Sequence, residues 1–335
     1  MKGGGEIHFF WKDAAITLGD EDNKMTQVQT RKGGSRVRPF LKWAGGKRQL
    51  LSQIDSYLPR ALKHGTVQRY VEPFVGSGAV FFHIVQNYPV EELFIADINP
   101  ELILAYRTIQ QDIEGLINEL AFIEDNYLPL SETQRKAFYY RQRAIYNEGR
   151  LAIDYGTFQD TWVKRTAQLI FFNRTCYNGL FRVNSRGEYN VPFGRYKNPT
   201  ICDGSNLRAV SDILQRAEIH YGHYSDCARV VGEGTLVYFD PPYRPISATA
   251  NFTAYSPHNF DDDEQLALAE FYRGLDNQGA CLILSNSDPR NTNPDDDFLE
   301  EAYAGFRIER VQARRRINRS VEKRGPINEL LILNY

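Results

Sequence analysis

The chain has 335 residues, 42% hydrophobic and 13% aromatic, with a formal net charge of −2; this suffices for one large core plus a smaller domain or insert and excludes a polyanion binder that works by bulk charge alone. Four cysteines (Cys176, Cys202, Cys227, Cys281) without CxxC spacing exclude a zinc knuckle and read as reduced thiols of a cytoplasmic protein, and six scattered histidines, of which only His220 and His223 lie close together, indicate no metal site. No window approaches 18 apolar residues and no apolar h-region opens the chain, so neither a membrane span nor a signal peptide is expected.

Residues 1–37 open with three glycines, continue polar and end basic, a composition that predicts a disordered arm. From Phe40 onward the pattern is α/β. Arg69 to Glu72 reads as a strand ended by Pro73, followed by a glycine turn and a helix from about Gly78 to Asn87. A second strand, Leu93 to Ala96, runs into Asp97, and Pro100 opens a helix at the position where its missing N–H does no harm. Residues 110–170 carry helical spacing, with Ile113, Leu116, Ile117 and Leu120, then Trp162, Leu169 and Ile170. Residues 171–200 turn aromatic, and Asn184-Ser185-Arg186-Gly187 predicts a hairpin between two strands. Thr235 to Phe239 is an apolar strand, Asp263 to Leu275 a helix, Ala280 to Leu284 a strand, and a last hairpin ends at Leu330 to Leu333. Strands alternating with helices imply a doubly wound, mostly parallel sheet, with residues 101–203 as an insert.

Charge is uneven along this frame. Between Thr161 and Val210 there are eight Lys or Arg against two acids, interleaved with aromatics. A second basic run spans Arg310 to Arg324, and Asp261 to Glu301 is acidic. A molecule polarised in this way can hold a polyanion on one face.

Three motifs carry chemistry. In Val71-Glu72-Pro73-Phe74-Val75-Gly76-Ser77-Gly78 the glycines let backbone approach a ligand closely. Nineteen residues after Gly78, Asp97 ends the next strand, where an acid can accept from ribose hydroxyls. Phe81 stands at the third glycine of the dinucleotide fingerprint, so a single-nucleoside cofactor fits better than NAD. Just upstream, Gly46-Lys47 echoes a phosphate loop, but Leu41 and Arg48 replace the glycine and the hydroxyl residue that loop requires. Trp43 then reads as a lid over the cofactor, with Lys47 near the cofactor's carboxylate.

The third motif, Asp240-Pro241-Pro242-Tyr243, follows the apolar strand directly. The lone pair of an exocyclic adenine amine is delocalised into the ring. The Asp240 carboxylate and the Pro241 carbonyl, accepting its two N–H bonds, would draw that nitrogen towards tetrahedral geometry. Prolines fix φ and donate no competing N–H, and Tyr243 offers a face on which a base can stack. A base held in a duplex reaches such a pocket only by flipping out. No cysteine follows a proline, so the nucleophile of cytosine C5 methylation is missing.

These motifs, in this order, resemble the Dam-type, alpha-class adenine-N6 DNA methyltransferases, and most nearly the members that act at GATC. The resemblance covers residues 39–335 through LKWAGGK at 41–47, VEPFVGSG at 71–78, ADIN at 96–99, NRTCYNGLFRVNSRGEYNVPFGRY at 173–196, DPPY at 240–243 and SATANFTAY at 247–255. It implies a Rossmann-like methyltransferase sheet. Residues 38–100 and 204–335 would form the catalytic, S-adenosylmethionine-binding domain, and 101–203 an inserted target recognition domain of helices and a β-hairpin. Asp240, Pro241 and Tyr243 would be catalytic. Trp43, Lys47, Glu72, Phe74, Gly76, Gly78, Asp97 and Asp240 would hold S-adenosylmethionine, leaving S-adenosylhomocysteine as product, with no metal. On double-stranded DNA, Lys42 would read the first guanine with Tyr196 beside it. Tyr177 and Asn178 would enter the stack near the flipped adenine, Leu180 and Pro192 would meet thymine methyls, and Arg182 would read the guanine of the last pair. A monomer is expected, cytoplasmic and of cellular or phage origin, with room for a cognate restriction endonuclease as a second partner. Thr175-Cys176 departs from the Tyr-Gly of the enterobacterial members, and the arm has no counterpart. Cytosine-N4 enzymes more often carry Ser at the position of Asp240, and an idle DNA-binding regulator would not be expected to keep both DPPY and the glycine turn.

Overall fold

The computed structural model describes residues 36–43, 45–244, 260–314 and 326–335. The expected arm up to residue 35, the SATANFTAY stretch and most of the second basic run lie outside the described residues.

The elements in chain order are α1 (Leu51–Tyr57), α2 (Arg60–Lys63), β1 (Arg69–Glu72), α3 (Ala79–Asn87), β2 (Glu92–Asp97), α4 (Pro100–Gln111), α5 (Ile113–Tyr127), α6 (Glu132–Gly149), α7 (Asp160–Thr175), α8 (Gly204–Leu214), β3 (Ala217–Tyr221), β4 (Thr235–Phe239), α9 (Asp262–Asp276), β5 (Cys281–Ser287), α10 (Phe298–Ala302), β6 (Arg307–Arg314) and β7 (Pro326–Leu333). The seven strands form one sheet in the order β3-β2-β1-β4-β5-β7-β6. The first five are parallel, and β7 runs antiparallel to both of its neighbours.

Strand alternation divides the core into two layers. Tyr70, Leu93, Ile95, Leu236, Tyr238 and Ile283 face one layer. Val71, Phe94, Val237, Phe239, Leu282 and Leu284 face the other. Every residue of β4 is buried, as a central parallel strand covered on both faces requires. The chain leaves β1 towards β2 and β3 on one side and returns through β4 on the other. Between β1 and β4 the strand order reverses, and a crevice opens there beyond the carboxyl ends of the strands. Glu72 ends β1, Asp240 follows β4, and Asp97 ends β2.

Residues 36–335 form one compact unit. The expected boundary after residue 100 falls at the start of α4, which packs on β2 and β3 and carries α7 and α8 on its other sides. The expected 110–170 helical block is three helices. Asp112 caps α5 through Gly115 N–H, and a Ser131/Gln134 capping box starts α6. A buried ion pair binds the blocks together. The Arg165 guanidinium of α7 grips Glu101 of α4, lies over the Tyr146 ring at 3.9 Å and donates to Tyr146 O at 2.9 Å. Arg36 and Val37, counted in the arm by composition, are tied to α3: Val37 N–H donates to Gln86 Oε1 at 2.7 Å, and Arg36 reaches His83 Nδ1 at 3.2 Å.

Residues 176–194 make a narrower hairpin than expected. Two isolated bridges, Cys176 with Phe193 and Val183 with Tyr189, replace a pair of strands. The backbone groups that would extend the ladder bond instead to side chains of α6. Asn147 takes both the N–H and the C=O of Tyr189, and Tyr139 and Arg143 donate to Val191 O. Underneath, Phe172 stacks on Tyr189 at 5.0 Å and Tyr139 meets Phe193 at 5.7 Å. The predicted turn is present: Asn184 Oδ1 accepts from Arg186 and Glu188, and Gly187 takes φ +74°.

Candidate active site

The glycine turn needs its glycines. Gly76 (φ +47°) and Gly78 (φ +70°) are left-handed, and a Cβ on Gly78 would lie 2.7 Å from the Tyr106 hydroxyl. That hydroxyl donates to Gly76 O at 3.0 Å. Asp97 holds the turn from the next strand, accepting from Gly76 N–H at 3.1 Å and Asn99 N–H at 2.9 Å. Burial outweighs these donors and pushes its carboxyl up to about 6. Phe74 lies among aromatics, 5.3 Å from Tyr224 and 5.9 Å from Phe260.

The catalytic turn is pinned almost residue by residue. The Lys47 ammonium, 3% exposed, bridges both Asp240 oxygens at 2.6 and 2.7 Å and donates to Gly45 O at 2.7 Å. Ser285 Oγ donates to Asp240 Oδ1 at 3.0 Å and in turn accepts from Tyr238. Gln265, buried in α9, donates to Pro242 O at 3.0 Å and accepts from Asn286. Tyr243 donates to Glu329 of β7, and its ring lies 4.5 Å from the Lys47 ammonium. Arg244 closes the turn on Asp262 and Asp296. Glu72, 2% exposed, accepts from Tyr70 at 2.6 Å.

Lys47 thus interacts electrostatically with three acids, the half-buried Asp240 and Glu329 and the buried Glu72. Burial raises all three acids, and Lys47 opposes the rise. Sequence reasoning expected Lys47 near a cofactor carboxylate; in the structure its ammonium lies on Asp240 and over the Tyr243 ring.

Trp43, expected as a lid over the cofactor, packs against the glycine turn. Its Cδ1 is 3.2 Å from the Cβ that Gly76 lacks, and its ring stacks on Phe181 of the hairpin at 5.4 Å. Lys42 and Tyr196 come together, with the ammonium 5.4 Å from the ring centroid. Tyr177 is 55% exposed, beside Asn178 in a left-handed conformation. Pro192 is exposed, and its carbonyl accepts from Tyr177 N–H. Leu180 is half-buried against the core. Arg182 is exposed, but its Nε donates to Asn190 Oδ1 at 2.7 Å, so only part of its fork is open. Local charge counting overstated the basic surface: Arg165, Arg186, Arg195 and Arg208 pair with Glu101, Glu188, Glu132 and Glu114.

Sequence reasoning missed Ser285, Gln265, Glu329 and Asn173. Each has a partner far along the chain, Lys42 for Asn173, Tyr243 for Glu329, Pro242 for Gln265 and Asp240 for Ser285, and no local signal pairs them. Among the described residues, no group of His, Cys, Asp and Glu is arranged to hold a metal, and no helix is long and apolar enough to cross a membrane.

Comparison with known proteins bears on this geometry. The family model described as D12 class N6 adenine-specific DNA methyltransferase matches residues 43–317. The type II methyltransferase M.MjaIII of Methanocaldococcus jannaschii is 48% identical over 300 residues, 89% of this chain and 99% of that one. The type II methyltransferase M1.LlaDCHI of Lactococcus lactis subsp. cremoris is 35% identical over 307 residues, 91% and 98% of the two chains. A DNA adenine methylase of Escherichia coli is 35% identical over 296 residues, 88% and 95% of the two chains.

Proposed function

Because the chain belongs to the D12 class of N6 adenine-specific DNA methyltransferases, we propose that it methylates adenine within GATC of double-stranded DNA, flipped out of the helix, with S-adenosylmethionine as donor. The observation that carries this reading is the pinned Asp240–Tyr243 turn beside the glycine turn, at the point where the strand order reverses.

The residues present fit that donor. Asp97 suits ribose hydroxyls, Trp43 covers the glycine turn, and Phe74 offers an aromatic wall. Bound there, the donor supplies an electrophilic methyl group. The protein's own work is orientation. Asp240 and the Pro241 carbonyl accept the two amine N–H bonds, which frees the nitrogen lone pair. Ser285 fixes the Asp240 carboxylate and Gln265 fixes the neighbouring Pro242 carbonyl, so little reorganisation is left for the transition state. An amine reaching Asp240 shares the carboxylate with Lys47, whose ammonium takes up only part of the acceptor capacity of its two oxygens.

Lys42, Tyr177, Asn178, Leu180, Arg182, Pro192 and Tyr196 are proposed as the DNA-facing set, on a monomer acting in the cytoplasm. The type II names of two relatives support a search for a cognate endonuclease. The test is transfer of labelled methyl groups to duplexes carrying GATC or single-base variants, with methyladenine mapped in DNA from expressing cells. Methylation confined to another sequence would overturn the GATC assignment.

A further inference from the structure

Asn173, in the last turn of α7, is 3% exposed, and its amide bonds only to backbone. Oδ1 accepts from Lys42 N–H at 2.8 Å, and Nδ2 donates to Lys42 O at 2.8 Å and to Gly179 O at 3.0 Å. It therefore grips Lys42 by both backbone groups, as a strand partner would, while holding the exposed turn that carries Tyr177 and Asn178. The grip is close. Gly179 has φ +65°, and a Cβ there would meet Lys42 Cδ at 2.6 Å, so the lysine stem runs across bare glycine before its ammonium reaches the Tyr196 ring.

The segment held at Lys42 leads straight to the chemistry. Trp43 stacks on Phe181 and against Gly76, and four residues later the Lys47 ammonium lies on Asp240. Six residues thus join a DNA-facing side chain, the cover of the glycine turn and the catalytic acid. Asn173, at the end of α7 just before the hairpin begins, holds that segment by its backbone.

We propose that Asn173 is a positioning residue that keeps Lys42 in register with the Tyr177–Gly179 turn and relays correct docking to Asp240 through residues 42–47. A wrong base pair opposite Lys42 is then felt as slower methyl transfer, beyond any loss of binding. The proposal rests on the reading of Lys42 as the reader of the first base pair.

The test compares Asn173→Ala, Lys42→Ala and the double variant in single-turnover methylation at saturating DNA, on GATC duplexes and on duplexes changed at the first pair. Melting temperature and calorimetric cofactor affinity are measured alongside. Without Asn173, the buried Gly179 carbonyl and the part-buried N–H and C=O of Lys42 lose their partner, so melting should fall by a few degrees. Cofactor affinity should stay within about threefold. The rate on GATC should drop about tenfold or more, and the preference at the first pair should shrink to that of Lys42→Ala. The double variant should discriminate no worse than Lys42→Ala alone, as expected for residues acting as one unit. If Asn173→Ala melts lower but keeps its preference while Lys42→Ala loses it, the proposal alone falls. If Lys42→Ala keeps the preference, the reading of Lys42 falls and takes the proposal with it. Should Asn173→Ala fail to fold, hydrogen exchange on the unmodified protein decides. Amides of residues 42–47 and Gly179 should gain protection on a GATC duplex and not on the first-pair variant; equal protection on both refutes the relay.

Discussion

The Asp240–Tyr243 turn and the 176–194 hairpin are built in opposite ways. At Asp240–Tyr243 most polar groups already have partners inside the protein, drawn from β5, β7, α9 and the 45–47 loop. The hairpin spends its inward side on aromatic packing and its backbone on α6, and leaves Tyr177, Arg182 and Pro192 outward. Chemistry needs acceptors that do not reorganise. Recognition needs side chains free to meet bases and backbone fixed enough to keep them in register.

The sharpest way to break this contrast is Asp240→Ala. It should lower single-turnover methylation, measured at saturating cofactor, by on the order of 10²–10³ or more; a variant with half the wild-type rate would mean that the pinned turn is structural.

Asp97→Ala should raise the Michaelis constant for S-adenosylmethionine about ten- to a hundredfold, through lost ribose hydrogen bonds and a loosened glycine turn. The same residue gives a pH test. Its folded value, about 6, lies above the ordinary carboxylate value, so burial of the ionised form removes stability as pH rises towards 6. Asp97→Asn should therefore gain melting temperature on wild type across that window. Cofactor affinity of the wild type should run the other way, weakening as pH falls through 6, while the Asn variant stays flat in calorimetry.

On the hairpin, Arg182→Ala should cost about 1–3 kcal/mol at GATC and relax selectivity at the fourth position only, measured on duplexes carrying each base there. Equal loss on all four would make Arg182 a backbone contact or, given its bond to Asn190, a brace of the hairpin. The smallest effect belongs to neither region. Removing residues 1–35 should leave melting and the recognised sequence unchanged, with a modest salt-sensitive loss of DNA affinity from Arg31 and Lys32. Extending the cut through Val37 should lower the melting temperature, since Val37 is bonded to Gln86.

The sequence was most legible where one local rule decided the outcome. β1 and β4 fall on the residues expected, because each apolar run ends at a Pro-containing turn. β3 was missed. It is an edge strand in which exposed Glu218 alternates with buried Ala217 and Ile219, too short and too charged to stand out. The hairpin was overread as two strands, since nothing local announces that Asn147 and Tyr139 will take its backbone bonds. At the site, Asp97, Asp240 and the glycines were legible from their place at strand ends. Ser285, Gln265, Glu329 and Asn173 were not, because single polar residues gain meaning only from partners the fold brings from afar. Lys47 was found but given a different neighbour.

The hydrogen bond from Tyr243 to Glu329 has a consequence for the order of events during synthesis. β7 emerges from the ribosome after the six other strands, yet it inserts between β5 and β6 and supplies the acceptor for the tyrosine of the catalytic turn. Until it arrives, β5 has an open edge and Tyr243 lacks its anchor. A nascent chain can close its 176–194 hairpin while the Asp240–Tyr243 turn is still unanchored, so that turn is completed only once β7 has joined the sheet.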